Sequence, residues 1–186
     1  MRGLLARYKA RCQTHDRKRI QGLGLEPKVT EPMLTAELAL SLFDQGYNPL
    51  TEVPIAGIRP DILDASRDPS ASPSLSLSLS LYVEAKQYKR GDSVARRVQQ
   101  AMYQVYTSVA CLRSDHIDVS EAFLVIFRRS GPAVRAPAKV RTEDLTVFIE
   151  VIDIAPEKET GSRERLRPVQ LSVEDVLPAT VERVAK

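Results

Sequence analysis

Cysteine is scarce in this chain. Cys12 and Cys111 are its only two cysteines in 186 residues, and they lie far apart. Two thiols so separated build no disulfide framework, and the expectation is a reducing, cytoplasmic compartment. No run approaches the roughly 18 apolar residues of a membrane-spanning helix. The stretch MRGLLARYKARCQTHDRKR is basic but lacks the apolar block and small-residue cleavage site of a secretory signal, so none is expected. The 8 glycines never gather into a phosphate-cradling loop, which argues against nucleotide hydrolysis. His15 and His116 have no Cys or acidic partner at ligand spacing, so zinc is not expected. No serine sits in a nucleophile elbow. Cys111, near the end of an apolar helical pattern, reads as core rather than nucleophile.

What is present fits one globular domain. Hydrophobic residues make up 43% and charged residues 27%, enough to bury a core. The formal net charge is only +3, from 27 basic and 24 acidic side chains. That balance is unevenly distributed. Residues 1–28 carry eight basic groups against two acidic ones, whereas residues 29–186 hold 19 basic and 22 acidic. A basic arm on a slightly acidic body points to contact with a polyanion, although a solvated helix face explains the charge equally well. The chain therefore divides into a basic arm and linker, 1–28, and a folded domain, 29–186.

Along the domain, Thr30 or Thr35 is positioned to cap a helix through TAELALSLFDQG, with Gly46 as its C-terminal stop. PLTEVPIAG and IRPDILDA read as a strand pair turning near Ala56 and Gly57. ASRDPSASPS is loop by composition. SLSLSLSLYVEAKQY then alternates with period two: Leu75 to Leu81, Val83 and Ala85 face one side, Tyr82, Glu84 and Lys86 the other. This predicts a strand with one buried and one polar face. A helix follows from Asp92 or Ser93 to Leu112, its stripe formed by Val94, Val98, Ala101, Val105, Val109 and Leu112. EAFLVIFRR and LTVFIEVIDIA read as strands, the first central, with GPAVRAPAKVRTED a loop between them. Ser172 and Asp175 begin a C-terminal helix, SVEDVLPATVERVAK, bent at Pro178.

Chemistry concentrates at Asp61, Glu84 and Lys86, with Glu37 and Gln99 as auxiliaries. If the second and third strands are neighbours, two carboxylates and an ammonium converge at one sheet edge. Adjacent carboxylates repel unless a cation lies between them. Hard oxygen ligands with open positions suit Mg²⁺, with Mn²⁺ as substitute; such a cation would polarise a phosphoryl oxygen and activate water. A lysine on the same strand face would orient that water and offset charge developing on phosphate.

The order of Glu37 on a first helix, Pro60-Asp61, then Glu84-Ala85-Lys86 and a second helix resembles the PD-(D/E)XK nuclease superfamily over roughly residues 33–130. The resemblance implies a restriction-endonuclease-like α/β fold: an αβββαβ core whose mixed central sheet is flanked by helices. It implies a metal-dependent nuclease acting on DNA, with Asp61, Glu84 and Glu37 as metal ligands and Lys86 as catalytic lysine. Gln99 to Tyr103 resembles the Q-x-x-x-Y motif of nuclease domains attached to recombination helicases, where these residues position the site and contact DNA. Gln100 and Gln104 offer a competing register. Lys89, Arg90, Arg96 and Arg97 would hold the phosphate backbone. Members that cut both strands are often homodimers, and no membrane partner is implied.

Each residue also has a bland reading. Asp61 could cap a turn, Glu84 and Lys86 could be an exposed pair on one strand face, and Glu37 could be a first-turn acid favoured by the helix dipole. Two rival functions stand beside the DNA nuclease. One is a non-catalytic nucleic-acid-binding or assembly module on the same fold. The other is an RNA-cleaving toxin or defence effector, of the kind used against phage.

Overall fold

The computed structural model describes residues 30–64, 81–88, 93–119, 121–128, 133–142, 144–154 and 168–177. The basic arm 1–28, the Ser-Leu run up to residue 80, Lys89 and Arg90 lie outside them. Within them the protein is an α/β fold, a mixed central sheet with helices packed on it.

The first helix, α1 (Glu31–Phe43), starts after Thr30 as N-cap, with Pro32 in its first turn where no intrahelical N–H is needed. Thr35, the alternative cap, is buried one turn inside and bonds the Glu31 carbonyl. Gly46, at φ +87°, turns the chain out of the helix. Strands β1 (Pro49–Thr51) and β2 (Ile62–Asp64) pair antiparallel. The expected turn between them is there: Ala56 and Gly57 both have positive φ, and Ile55 and Ile58 exchange backbone hydrogen bonds around them. Then come β3 (Leu81–Tyr88), α2 (Val94–Ser114) and β4 (Glu121–Arg128). Ser93 caps α2 through the Arg96 N–H.

The 133–142 stretch corrects the expectation of a plain loop. It carries two short strands, β5 (Val134–Arg135) and β6 (Lys139–Arg141), before β7 (Thr146–Asp153). Their brevity explains the miss, because two or three residues carry no readable alternation. A further strand, β8 (Val169–Gln170), pairs with β5 and precedes α3 (Val173–Val176). The Ser172–Asp175 capping box is formed in full. Of the expected C-terminal helix, only this single turn falls within the described residues.

The six-stranded sheet has the order β1-β2-β3-β4-β7-β6. β3, β4 and β7 run parallel at its centre, with antiparallel pairs on both sides. Both faces are covered. Leu34, Leu38 and Leu42 of α1 pack with Ile62, Val83, Ala85, Val125 and Phe127. Val98, Ala101, Met102, Val105 and Leu112 of α2 pack with Leu63, Tyr82, Leu124, Ile126 and Val147 on the other face. Leu38 is fully buried, and truncating such a leucine to alanine costs about 2–5 kcal/mol.

This double covering corrects the reading of β3. Its alternation is real, but the side bearing Tyr82, Glu84 and Lys86 lies beneath α2 rather than in water. Glu84 keeps only 6% of its surface. An exposed strand-face pair is therefore excluded.

Candidate active site

The site arises because β3 is longer than its neighbour. β2 pairs with β3 only as far as Ile62 opposite Val83. Beyond that point, the β3 edge still projects backbone N–H groups on alternate residues, and buried donors require partners. Two carboxylates supply them. Asp61, directly preceding β2, accepts the Ala85 N–H at 2.7 Å through Oδ2. Glu31, the first residue of α1, accepts the Gln87 N–H through Oε2. Side chains at Glu84 and Lys86 share the other strand face, so the edge gathers three acids and one ammonium.

Lys86 is the hub. Its Nζ lies 2.7 Å from Glu84 Oε1 and 3.8 Å from both Asp61 Oδ2 and Glu31 Oε1. The remaining Glu84 oxygen, Oε2, accepts the Tyr82 hydroxyl at 3.2 Å. Burial pushes the Asp61 carboxyl above the usual carboxylate range, against the pull of the Ala85 N–H and Lys86. Burial also raises Glu84, and the Asp61 charge raises it further. Burial alone would lower Lys86; the Glu84 hydrogen bond and the surrounding carboxylates outweigh it and hold the ammonium above its ordinary value.

The structure thus brings Asp61, Glu84 and Lys86 together. Glu37 is not among them. The α1 acid in the cluster is Glu31, and six residues further along a helix is about 9 Å of rise and some 240° of rotation. Sequence reasoning missed Glu31 because the start of α1 was open between two threonines. With Thr30 as cap, Glu31 becomes the first helical residue and Pro32 the confirming signal.

A cavity of about 780 Å³ opens beside the cluster, lined by Glu31 and Lys86 and by one face of α2. Arg97, Gln99 and Tyr103 line it, and so do Gln100 and Gln104, so both registers of the glutamine-tyrosine pattern reach the same space. Tyr103 is 53% exposed, a large aromatic left facing solvent. Arg96 is exposed on the first turn of α2 and is not part of the lining.

Among the described residues no three His, Cys, Asp or Glu side chains form a ready protein cage for a metal. Mg²⁺ does not need one, because it binds through one or two carboxylates and completes its shell with water and substrate oxygens. Asp61 and Glu84, converging and reluctant to ionise together, fit that role; Lys86 is the cation they share here. Among the described residues no helix is long and apolar enough to cross a membrane.

No protein family, curated protein or solved structure matches the chain.

Proposed function

We propose that this protein is a metal-dependent nuclease of the PD-(D/E)XK type, with a restriction-endonuclease-like core, hydrolysing phosphodiester bonds in DNA. One observation carries the reading. Asp61, immediately before β2, and Glu84 on β3 both lie within 4 Å of the ammonium of Lys86, two residues beyond Glu84 on the same strand. The order α1-β1-β2-β3-α2-β4 agrees with the core that the resemblance implies.

In this reading Asp61 and Glu84 hold Mg²⁺ or Mn²⁺, and Glu31 takes the first-helix position assigned from sequence to Glu37. The metal would supply Lewis-acid polarisation of the scissile phosphate and a more acidic bound water. Lys86 donates hydrogen bonds toward the attacking water and the phosphoryl oxygens, where negative charge develops. The Ala85 and Gln87 N–H groups fix the Asp61 and Glu31 carboxylates before substrate arrives. Gln99, Tyr103 and Arg97 provide the wall along which the strand runs, with Lys89, Arg90 and Arg96 adding phosphate contacts.

The test is cleavage of plasmid, linear and single-stranded DNA, and of RNA, with Mg²⁺ or Mn²⁺. The expected result is DNA cleavage that chelation stops and that Asp61→Ala and Lys86→Ala abolish while remaining folded. Equal cleavage by wild type and both variants sinks the assignment. RNA cut in preference to DNA would move the substrate to the toxin or defence alternative.

A specific observation favours a second reading, a non-catalytic nucleic-acid-binding module. Lys86 offsets part of the carboxylate charge, and the Ala85 and Gln87 N–H groups hydrogen-bond Asp61 and Glu31, so the chain's own groups partner all three acids. Calorimetry with Mn²⁺ separates the two readings. Heat that vanishes in Asp61→Ala supports the enzyme, and no heat in the wild type supports the module.

A further inference from the structure

We infer that Tyr82 is a positioning residue for the metal-binding carboxylate of Glu84. The inference rests on the metal-dependent reading above and adds to it a component outside the Asp-Glu-Lys motif. Tyr82 is fully buried, two residues before Glu84 on the same face of β3, and donates its hydroxyl to Glu84 Oε2. Ser108, on α2, stands beside the phenol, where its hydroxyl works against the upward push of burial on Tyr82. The phenol thus links the covering helix to the carboxylate: Ser108 to Tyr82, Tyr82 to Glu84, Glu84 to Lys86.

The arrangement divides the work of the Glu84 carboxylate. Oε2 is held by the phenol from beneath α2, and Oε1 is left aimed at Lys86. A carboxylate held by one oxygen keeps its rotamer, so its other oxygen meets a cation at a fixed point. Partners of this kind behind metal ligands typically contribute about 10–100-fold in metal affinity or activity. A phenol is also an economical donor for a buried site, since it brings its own apolar ring to pack beneath α2 while leaving no polar atom unpaired.

The test uses the full chain and Mn²⁺ alone as probe, titrated calorimetrically into wild type, Tyr82→Phe, Ser108→Ala and Asp61→Ala, with melting temperature measured for each. The expected result is Tyr82→Phe folded, with Mn²⁺ affinity 10–100-fold weaker. Its cleavage should return to within a few-fold of wild type when Mn²⁺ is raised to saturation. Ser108→Ala should shift affinity the same way by a few-fold, and it decides the matter should Tyr82→Phe not fold. A merely structural Tyr82 would change the melting temperature without moving the Mn²⁺ midpoint. Wild-type affinity in folded Tyr82→Phe, or in Ser108→Ala where that decides, overturns the inference while metal loss in Asp61→Ala keeps the nuclease reading intact. If the wild type itself takes up no Mn²⁺, both fall together.

Discussion

Lys86 Nζ sits 2.7 Å from Glu84 Oε1, two residues away on the same strand face, and this short contact is the only close one that the ammonium makes to the three acids. The pair lies beneath α2, so each charge depends on the other. A buried pair is weak evidence for net stability, yet removing one partner leaves an uncompensated charge.

Lys86→Met should therefore destabilise the protein at neutral pH, by roughly 3 kcal/mol given the partial exposure of the lysine. That lowers the melting temperature by about 6–12 °C in a chain of this size. The sign with pH follows from the directions above. Lys86 is held above its ordinary value, so its contribution is complete below the usual lysine pKa and is lost only as pH rises through the raised one. In the variant the carboxylates have no counter-ion, and the deficit should shrink as they take up protons toward pH 4. Cleavage should fall about 10²–10³-fold, the range for losing one charge-stabilising donor. Melting curves from pH 4 to pH 9 check this; a deficit independent of pH would contradict it.

Asp61→Asn should behave in the opposite way, and Glu84→Gln should fall between the two. Both carboxyls are raised by burial, so the fold favours their neutral forms. Stability linked to them is full below the ordinary carboxylate pKa and lost as pH rises through the raised values. The neutral isosteres keep the acceptor oxygens for Ala85 and Tyr82 and remove the charge. At pH 8 Asp61→Asn should melt a few degrees higher than wild type, the order set by about 1 kcal/mol, whereas Glu84→Gln should show no such gain because it also takes away the close partner of the Lys86 ammonium. The gain should vanish near pH 4, and Mn²⁺ binding and cleavage should be lost. This is the stability a functional site gives up. Asp61→Asn melting several degrees lower at pH 8 would refute the argument.

Much of this was legible in the sequence, and the limits have physical causes. The period-two run through Glu84 and Lys86 predicts β3, because alternation is strict where a strand is packed. It does not say what lies above each face, so alternation alone leaves open whether the polar face is solvated or, as here, covered by α2. The sequence pattern places Asp61 at the end of the second strand, whereas it stands immediately before β2, because the strand starts only after Pro60-Asp61. Its partnership with the Ala85 N–H was not legible, because it depends on β2 stopping short of β3. Glu31 was hidden by a one-turn ambiguity at the start of α1, although Thr30-Glu31-Pro32 carries the cap and the proline that resolve it.

Glu31→Gln and Glu37→Gln test that resolution directly. Glu31 lies 3.8 Å from Lys86 and also accepts the Gln87 N–H, a bond that glutamine's carbonyl can keep. Its charge is what the substitution removes from the site. Cleavage should drop at least about 10-fold for Glu31→Gln, within the range typical of groups that support metal ligands. Glu37→Gln, displaced from the cluster along and around α1, should stay within about twofold. Kinetics at fixed Mn²⁺ check this, and the reverse ranking would restore Glu37 to the site.

The α2 wall should act on substrate binding rather than on the chemical step. Arg97, Gln99 and Tyr103 line the cavity that Lys86 opens into, and Tyr103 is half-exposed there. An aromatic face left to solvent beside the proposed phosphodiester-cleaving site is suited to stacking on an unpaired base, which is worth about 1–3 kcal/mol. Tyr103→Ala should accordingly raise KM for single-stranded DNA roughly 5- to 150-fold, with kcat changed far less. Arg97→Ala should weaken binding evenly across sequences and reduce the dependence of log Kd on log salt by about one contact. Gln99→Ala compared with Gln100→Ala and Gln104→Ala distinguishes the two registers of the motif, since the residue in register should lose the most activity. Binding by anisotropy across 50–200 mM salt, alongside steady-state kinetics, measures all of these. If Tyr103→Ala lowers kcat with KM unchanged, the wall belongs to the reacting centre rather than to the path of the strand.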